Sequence, residues 1–155
     1  MTHERFETLM GEITRDIANR PLDDDLANYL NETWPVGGET FEELRALCAQ
    51  GEDEGWLMTH EAGGIRFGRA IKPGTVAGDF SVDVVRMKDV RGPHHIHPQG
   101  EIGAIIALQG APKFDGIEEG WYVYCPGTRH HPTVTGGEAY VLYLLPGGAI
   151  EFTEN

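Results

Sequence analysis

The apolar residues of the chain follow two different periods, and the change falls near residue 55. Before it, Phe6, Leu9, Met10, Ile13 and Ile17 recur at three- and four-residue steps with charged residues between them, which predicts an amphipathic helix. Pro21 breaks that helix and can open a second one through Leu22, Leu26 and Leu30. Thr40 and Glu43 have capping-box spacing and predict a third helix through Phe41, Leu44 and Leu47, with Gly51 as its stop. Three short helices cannot bury a core alone. They are therefore expected as a preface, residues 1–54, packed on the outside of the remaining chain or against another subunit.

From residue 55 to 155 the pattern becomes short β runs separated by turn residues. Strands are expected at Gly55 to Thr59, Ile65 to Ile71, Phe80 to Met87, Ile102 to Leu108, Trp121 to Tyr124, Thr133 to Val134 and Ala139 to Leu145, with Ile150 to Phe152 as a last edge. Between them lie the turn signals Gly63-Gly64, Lys72-Pro73-Gly74, Gly110-Ala111-Pro112, Pro126-Gly127, Gly136-Gly137 and Pro146-Gly147-Gly148. Many short strands at this spacing predict an all-β sandwich or barrel forming one structural unit with its helical preface.

Charge and cysteine usage narrow the function classes. A formal net charge of −13 disfavours binding to nucleic acid or to an anionic membrane, although a local arginine can still receive a small anion. No basic-then-apolar leader opens the chain, no apolar run is long enough to span a bilayer, and Cys48 and Cys125 are isolated. A cytoplasmic location with free thiols is expected.

The chemistry gathers in two histidine clusters, Pro93-His94-His95-Ile96-His97 and Thr128-Arg129-His130-His131. On a strand, His95 and His97 project to the same face. Glu101 follows after Pro98-Gln99-Gly100, which can turn the carboxylate back towards the imidazoles. His130 arrives from a distant segment opened by Pro126-Gly127. Three neutral imidazoles and one carboxylate suit one divalent transition metal (Fe, Mn, Zn, Ni or Co) and leave positions open for water or substrate. His94 and His131, out of register, are expected to point outward or to lie behind the ligands. Arg69, on the strand from Ile65, is a candidate for binding a substrate carboxylate, with Arg66 and Arg86 as competitors. Tyr143 shares parity with Val141 and Leu145 and is expected to face the barrel interior, while alternate members of Trp121, Tyr122 and Tyr124 must face inward.

This arrangement resembles the cupin superfamily. His95-Ile96-His97, Glu101 and Gly110 resemble its first motif, and Gly120, Pro126, Gly127 and His130 its second. The turn here is Pro-Gly with no residue between, and Val134 stands where many cupins have asparagine. The implied fold is an all-β cupin barrel, a double-stranded β-helix or jelly roll.

Three stretches resemble more closely the 4-hydroxylaminobenzoate lyase family of nitroaromatic degradation: Phe80 to Val85, Gly92 to Ile102 and Pro126 to Val134. The ending Leu142 to Phe152 fits as well. The resemblance implies a metal-dependent carbon–nitrogen lyase converting 4-hydroxylaminobenzoate and water to 3,4-dihydroxybenzoate and ammonia, with a small aromatic carboxylate as partner; with Glu101 as a ligand, it leaves Tyr143, a neighbouring histidine or water as the candidate catalytic acid. Two alternatives share the ligand set: an Fe(II) cupin dioxygenase acting on a small aromatic or thiol, and a non-catalytic cupin that binds a small ligand. A homo-oligomer, as a dimer, is expected from the apolar faces of the preface.

Overall fold

The computed structural model describes residues 2–153. The predicted helices form as α1 (Thr2–Ile17), α2 (Asp24–Thr33) and α3 (Glu39–Glu54), but their ends differ from expectation. Helix α2 starts after Asp23, whose carboxylate accepts from the Leu26 N–H, so a side-chain cap sets its start in place of Pro21. Helix α3 is capped by Gly38 and not by Thr40; Glu42 reaches back to the Gly37 N–H instead. Gly51 does not stop α3, which runs on to a left-handed Gly55. Gly51 is a packing position: a Cβ there would stand 2.8 Å from the Trp56 ring.

Nine strands complete the chain among the described residues: β1 (His60–Ala62), β2 (Ile65–Ile71), β3 (Phe80–Arg91), β4 (His95–His97), β5 (Glu101–Phe114), β6 (Gly120–Tyr124), β7 (Thr128–His130), β8 (Thr133–Pro146) and β9 (Glu151–Phe152). The expected strand at Gly55 to Thr59 is absent; Leu57 and Met58 are buried there in the helical core, and pairing begins at His60. The expected turns at Gly110-Ala111-Pro112 and Gly136-Gly137 lie inside β5 and β8, where the register shifts. Gly110 opposes Gly137, and a Cβ on Gly137 would stand 2.1 Å from the Gln109 carbonyl oxygen. Paired glycines therefore let both strands bulge at one level without separating.

A six-stranded antiparallel sheet, ordered β1-β2-β3-β8-β5-β6, faces a three-stranded sheet, β7-β4-β9, across a cavity. This is the double-stranded β-helix of a cupin barrel. Alternation divides the large sheet. Val82, Val84, Ile102, Ala104, Ile106, Leu142 and Leu144 point outward and pack against Phe6, Met10, Leu30, Phe41 and Leu44 of the helices. Met87, Ile105, Tyr122, Val141 and their neighbours point inward and form a second cluster. Burying each large apolar side chain contributes roughly 1.5–3 kcal/mol, so the helix-covered face supplies most of the hydrophobic stabilisation. The apolar faces of the preface are thus covered by their own barrel. No described helix is long and apolar enough to cross a membrane.

Candidate metal centre

The β4 alternation puts His95 and His97 on the inner face, and antiparallel pairing with β7 sets His130 opposite His95. The three Nε2 atoms converge: His95–His97 3.0 Å, His97–His130 3.0 Å and His130–His95 2.9 Å. They form a group able to hold one metal ion. The outer nitrogens decide which hydrogens are present. His95 Nδ1 lies 3.2 Å from the Pro93 carbonyl oxygen, and His130 Nδ1 lies 2.5 Å from Asp115 Oδ2. Donating N–H to those oxygens leaves Nε2 of each ring as a bare lone pair turned to its neighbours. Lone pairs crowded at 3.0 Å fit a shared cation. Imidazole nitrogens at about 2.1 Å from one ion stand about 3.0–3.4 Å apart, so the spacing of the trio is compatible with a shared ion.

Glu101 lies beside this trio, with Oε1 3.4 Å from His97 Nε2. Its other oxygen accepts from the Tyr122 hydroxyl at 2.7 Å. Gly103 makes that bond possible, because the Tyr122 ring lies across it and a Cβ would come within 2.2 Å of the ring. His97 is 0% and Glu101 3% exposed. Burial, followed by the neighbouring imidazoles, pushes His95 down to about 4 and His97 down to about 3. Burial pushes Glu101 up to about 8 against the opposing Tyr122 hydrogen bond, with Asp115 and Asp83 adding to the rise.

A cavity of about 220 Å³ opens beside these groups. Phe67, Val85, Met87, Phe114, Val141 and Phe152 are among its walls, and among the described residues its polar lining side chains are His95, Glu101, His130 and Tyr143. Tyr143 therefore reaches the cavity, and burial together with the charges of Asp83 and Glu101 pushes its phenol well above the ordinary range. Arg69 does not line the cavity. Its guanidinium is held by both oxygens of the largely buried Asp83, at 2.9 and 3.2 Å, and also donates to the Gly148 carbonyl. Arg66 pairs with Glu52, and Arg86 with Glu52 and Glu138. His94 and His131 stand ring against ring, 4.9 Å apart, away from the trio. Tyr122 and Tyr124 face inward, whereas Trp121 packs with the helices.

Asp115 is not legible in the sequence as a site residue. The Asp115-Gly116 pair signals a tight turn, but nothing local reveals that this turn delivers a carboxylate to His130.

A family model described as PnbB, 4-hydroxylaminobenzoate lyase, matches residues 8–152. The chain belongs to this family. It is thereby an enzyme, and two curated 4-hydroxylaminobenzoate lyases align with most of it. The one from Nocardioides sp. (strain LMS-CY) is 31% identical over 146 residues, covering 88% of this chain and 86% of its own. The one from Pseudomonas putida is 27% identical over 153 residues, covering 88% and 87%. Among solved structures, a chain from the crystal structures of the DMSP lyases RdDddP and RnDddQII superposes with TM-score 0.55 at 11% identity, over 76% of this chain and 71% of that one. At that identity the likeness concerns the fold alone. Within the 4-hydroxylaminobenzoate lyase family match lie both histidine clusters, Glu101, Tyr143 and the β9 wall.

Proposed function

We propose that this enzyme converts 4-hydroxylaminobenzoate and water to 3,4-dihydroxybenzoate and ammonia in the cytoplasm, using one divalent transition metal held by His95, His97, His130 and Glu101. The observation that carries the reading is the trio of Nε2 atoms at 2.9–3.0 Å on the wall of an apolar, aromatic-lined cavity. The atoms balance without an oxidant or reductant: the N–O and C–N bonds break, two ring C–O bonds form, the two new ring oxygens are matched by the hydroxylamino oxygen plus one net water, and the nitrogen leaves as ammonia. A bound metal ion would supply Lewis acidity towards an oxygen and lower the pKa of water.

The protein's own groups do the rest. The cavity has room for one aromatic ring, and Phe67, Phe114 and Phe152 offer it flat apolar surfaces. A carboxylate in that apolar lining would be costly to desolvate, so the substrate carboxylate faces the mouth and the hydroxylamino group faces the histidines. Tyr143 stays protonated and donates a hydrogen bond to the departing or entering oxygen. Arg69 holds Asp83 in place beside Tyr143, its opposite residue on β8, and does not grip the substrate directly.

Anaerobic incubation of the metal-loaded enzyme with 4-hydroxylaminobenzoate tests the reading. Ammonia and 3,4-dihydroxybenzoate should appear in equal amounts, and His97→Ala should lose metal and at least about a thousandfold in turnover, roughly 4 kcal/mol. Turnover that requires dioxygen would transfer the chain to the oxygenase alternative. Absence of turnover with metal fully loaded would defeat the substrate assignment.

A further inference from the structure

The turn between β5 and β6 carries a feature that the ligand set does not explain. Asp115 has φ +51°, a left-handed conformation that side chains other than asparagine and aspartate seldom adopt, and Gly116 follows at φ +82°. The conformation turns the Asp115 carboxylate towards His130, and its side chain is only 18% exposed although the turn itself lies at the surface. It collects three donors there: His130 Nδ1–H at 2.5 Å and the Tyr124 hydroxyl at 2.7 Å on Oδ2, and the Thr133 N–H at 3.0 Å on Oδ1. The Asp115 N–H also donates to the Thr133 carbonyl, so the turn is fastened to the start of β8, three residues beyond His130. The Tyr124 ring stands edge-on against His130 at 5.1 Å and walls it from the side.

We propose that Asp115, supported by Tyr124, is the positioning residue for His130: its carboxylate fixes the imidazole as the Nδ1–H form and turns the Nε2 lone pair towards His95 and His97. Of the three histidines, His95 has a backbone carbonyl behind it, and the buried His97 Nδ1 has no partner among the described residues. His130 alone is backed by an anion. It also stands on β7, a three-residue strand held by β4 alone, and so has the least backbone support of the three. A charged acceptor behind an imidazole both orients it and raises its electron-donating power. Three donors converge on the Asp115 carboxylate, an arrangement that favours its charged form in this role.

The inference rests on the metal reading for its purpose, but its structural content can be tested without metal. In metal-free protein with 15N-labelled histidine, long-range proton–nitrogen spectra should show His130 as a single Nδ1–H tautomer. Asp115→Ala should convert it to a mixture or to the Nε2–H form. Asp115→Asn keeps a neutral acceptor and tolerates the left-handed backbone, so the tautomer should hold. Titration with Co(II) should then give affinity roughly 10- to 100-fold weaker for the alanine variant and a smaller loss for the asparagine variant. Tyr124→Phe, which removes one donor without touching His130, should leave the tautomer in place. An unchanged His130 tautomer in Asp115→Ala, with Co(II) affinity within about twofold of the parent, would overturn the proposal. If the alanine variant does not fold, Asp115→Asn decides the matter, and unaltered Co(II) affinity would count against it. A parent protein that binds no Co(II) would remove the metal reading, while the tautomer comparison would still decide the role of Asp115.

Discussion

The two faces of the large sheet are made by the same strands and differ only in the parity of their residues. On β3, β5 and β8 one set of alternate positions, Val84, Ile102, Ala104 and Leu142 among them, is dry and covered by helices. The other set includes Asp83, Glu101, Gly103 and Tyr143, which carry charge, leave room or reach the cavity. The outer face is mostly apolar, and the polar groups it carries, Arg86, Glu138 and the Tyr140 hydroxyl, are paired with one another or with Glu52 of α3. The inner face keeps a space open and holds ionisable groups at displaced pKa values, both of which weaken the fold. A protein of this size can carry such an inner face because the helices overbuild the outer one.

Substitutions on the two faces should separate cleanly. Phe41→Ala, on the helical side against Trp121, should cost about 3–5 kcal/mol of stability, measured by chemical denaturation, with turnover per folded molecule unchanged. A fall in turnover matching the fall in stability would show that the faces are not independent. Gly103→Ala, on the inner face, should cost less, roughly 1–3 kcal/mol, because only the Tyr122 ring must move. Its functional effect should exceed its structural one, since displacing Tyr122 releases Glu101. Thermal melts and steady-state kinetics on the same preparation would expose the reverse order.

The inner face should also respond to pH in both directions when free of metal. His95 and His97 have folded values below the ordinary histidine range, so their contribution to stability is present above about 6.5 and is lost as pH falls through about 4 and 3. Glu101 has a raised value, so its contribution is present below about 4.5 and is lost as pH rises through about 8. At about pH 7 Glu101 therefore still holds most of one proton, and coordination must expel it. Calorimetry of metal binding in two buffers of different ionisation heat should report release of about one proton near pH 7, falling towards none above about pH 9. Binding without proton release would remove Glu101 from the ligand set. The smallest functional effect belongs to Arg69→Ala. Substrate KM should change less than about threefold, and equally for the carboxylate and its amide, while stability falls because Asp83 is left buried without its partner. A loss confined to the carboxylate substrate would restore Arg69 as a direct contact.

Local relations are legible in the sequence. The spacing of His95 and His97 fixes their common face whatever surrounds them, and the apolar period of Phe6 to Ile17 fixes a helix. The pairing of Arg69 with Asp83 is not legible, because the two are 14 residues apart and become neighbours only through the β2–β3 register. The same holds for Asp115 and His130, brought together by a turn whose left-handed geometry has no side-chain periodicity. Glycines mislead in one consistent way. Gly51, Gly110 and Gly136-Gly137 read as stops and turns, yet they are places where chains approach closely inside continuous elements.

The β9 strand gives the site an order of manufacture. It adds only two ladder partners to β4, yet Ile150 and Phe152 wall the cavity, and the Phe152 ring, 64% exposed, stands edge-on to His95 at 5.4 Å. A nascent chain halted at Gly148 would already own every candidate ligand and the whole helical cover, and would still lack that wall. The cavity wall at Ile150 and Phe152 is thus the last of these parts in chain order. Anything fused close behind Phe152 sits beside the cavity wall, whereas the same cargo ahead of α1 lies on the helix-covered side of the sheet.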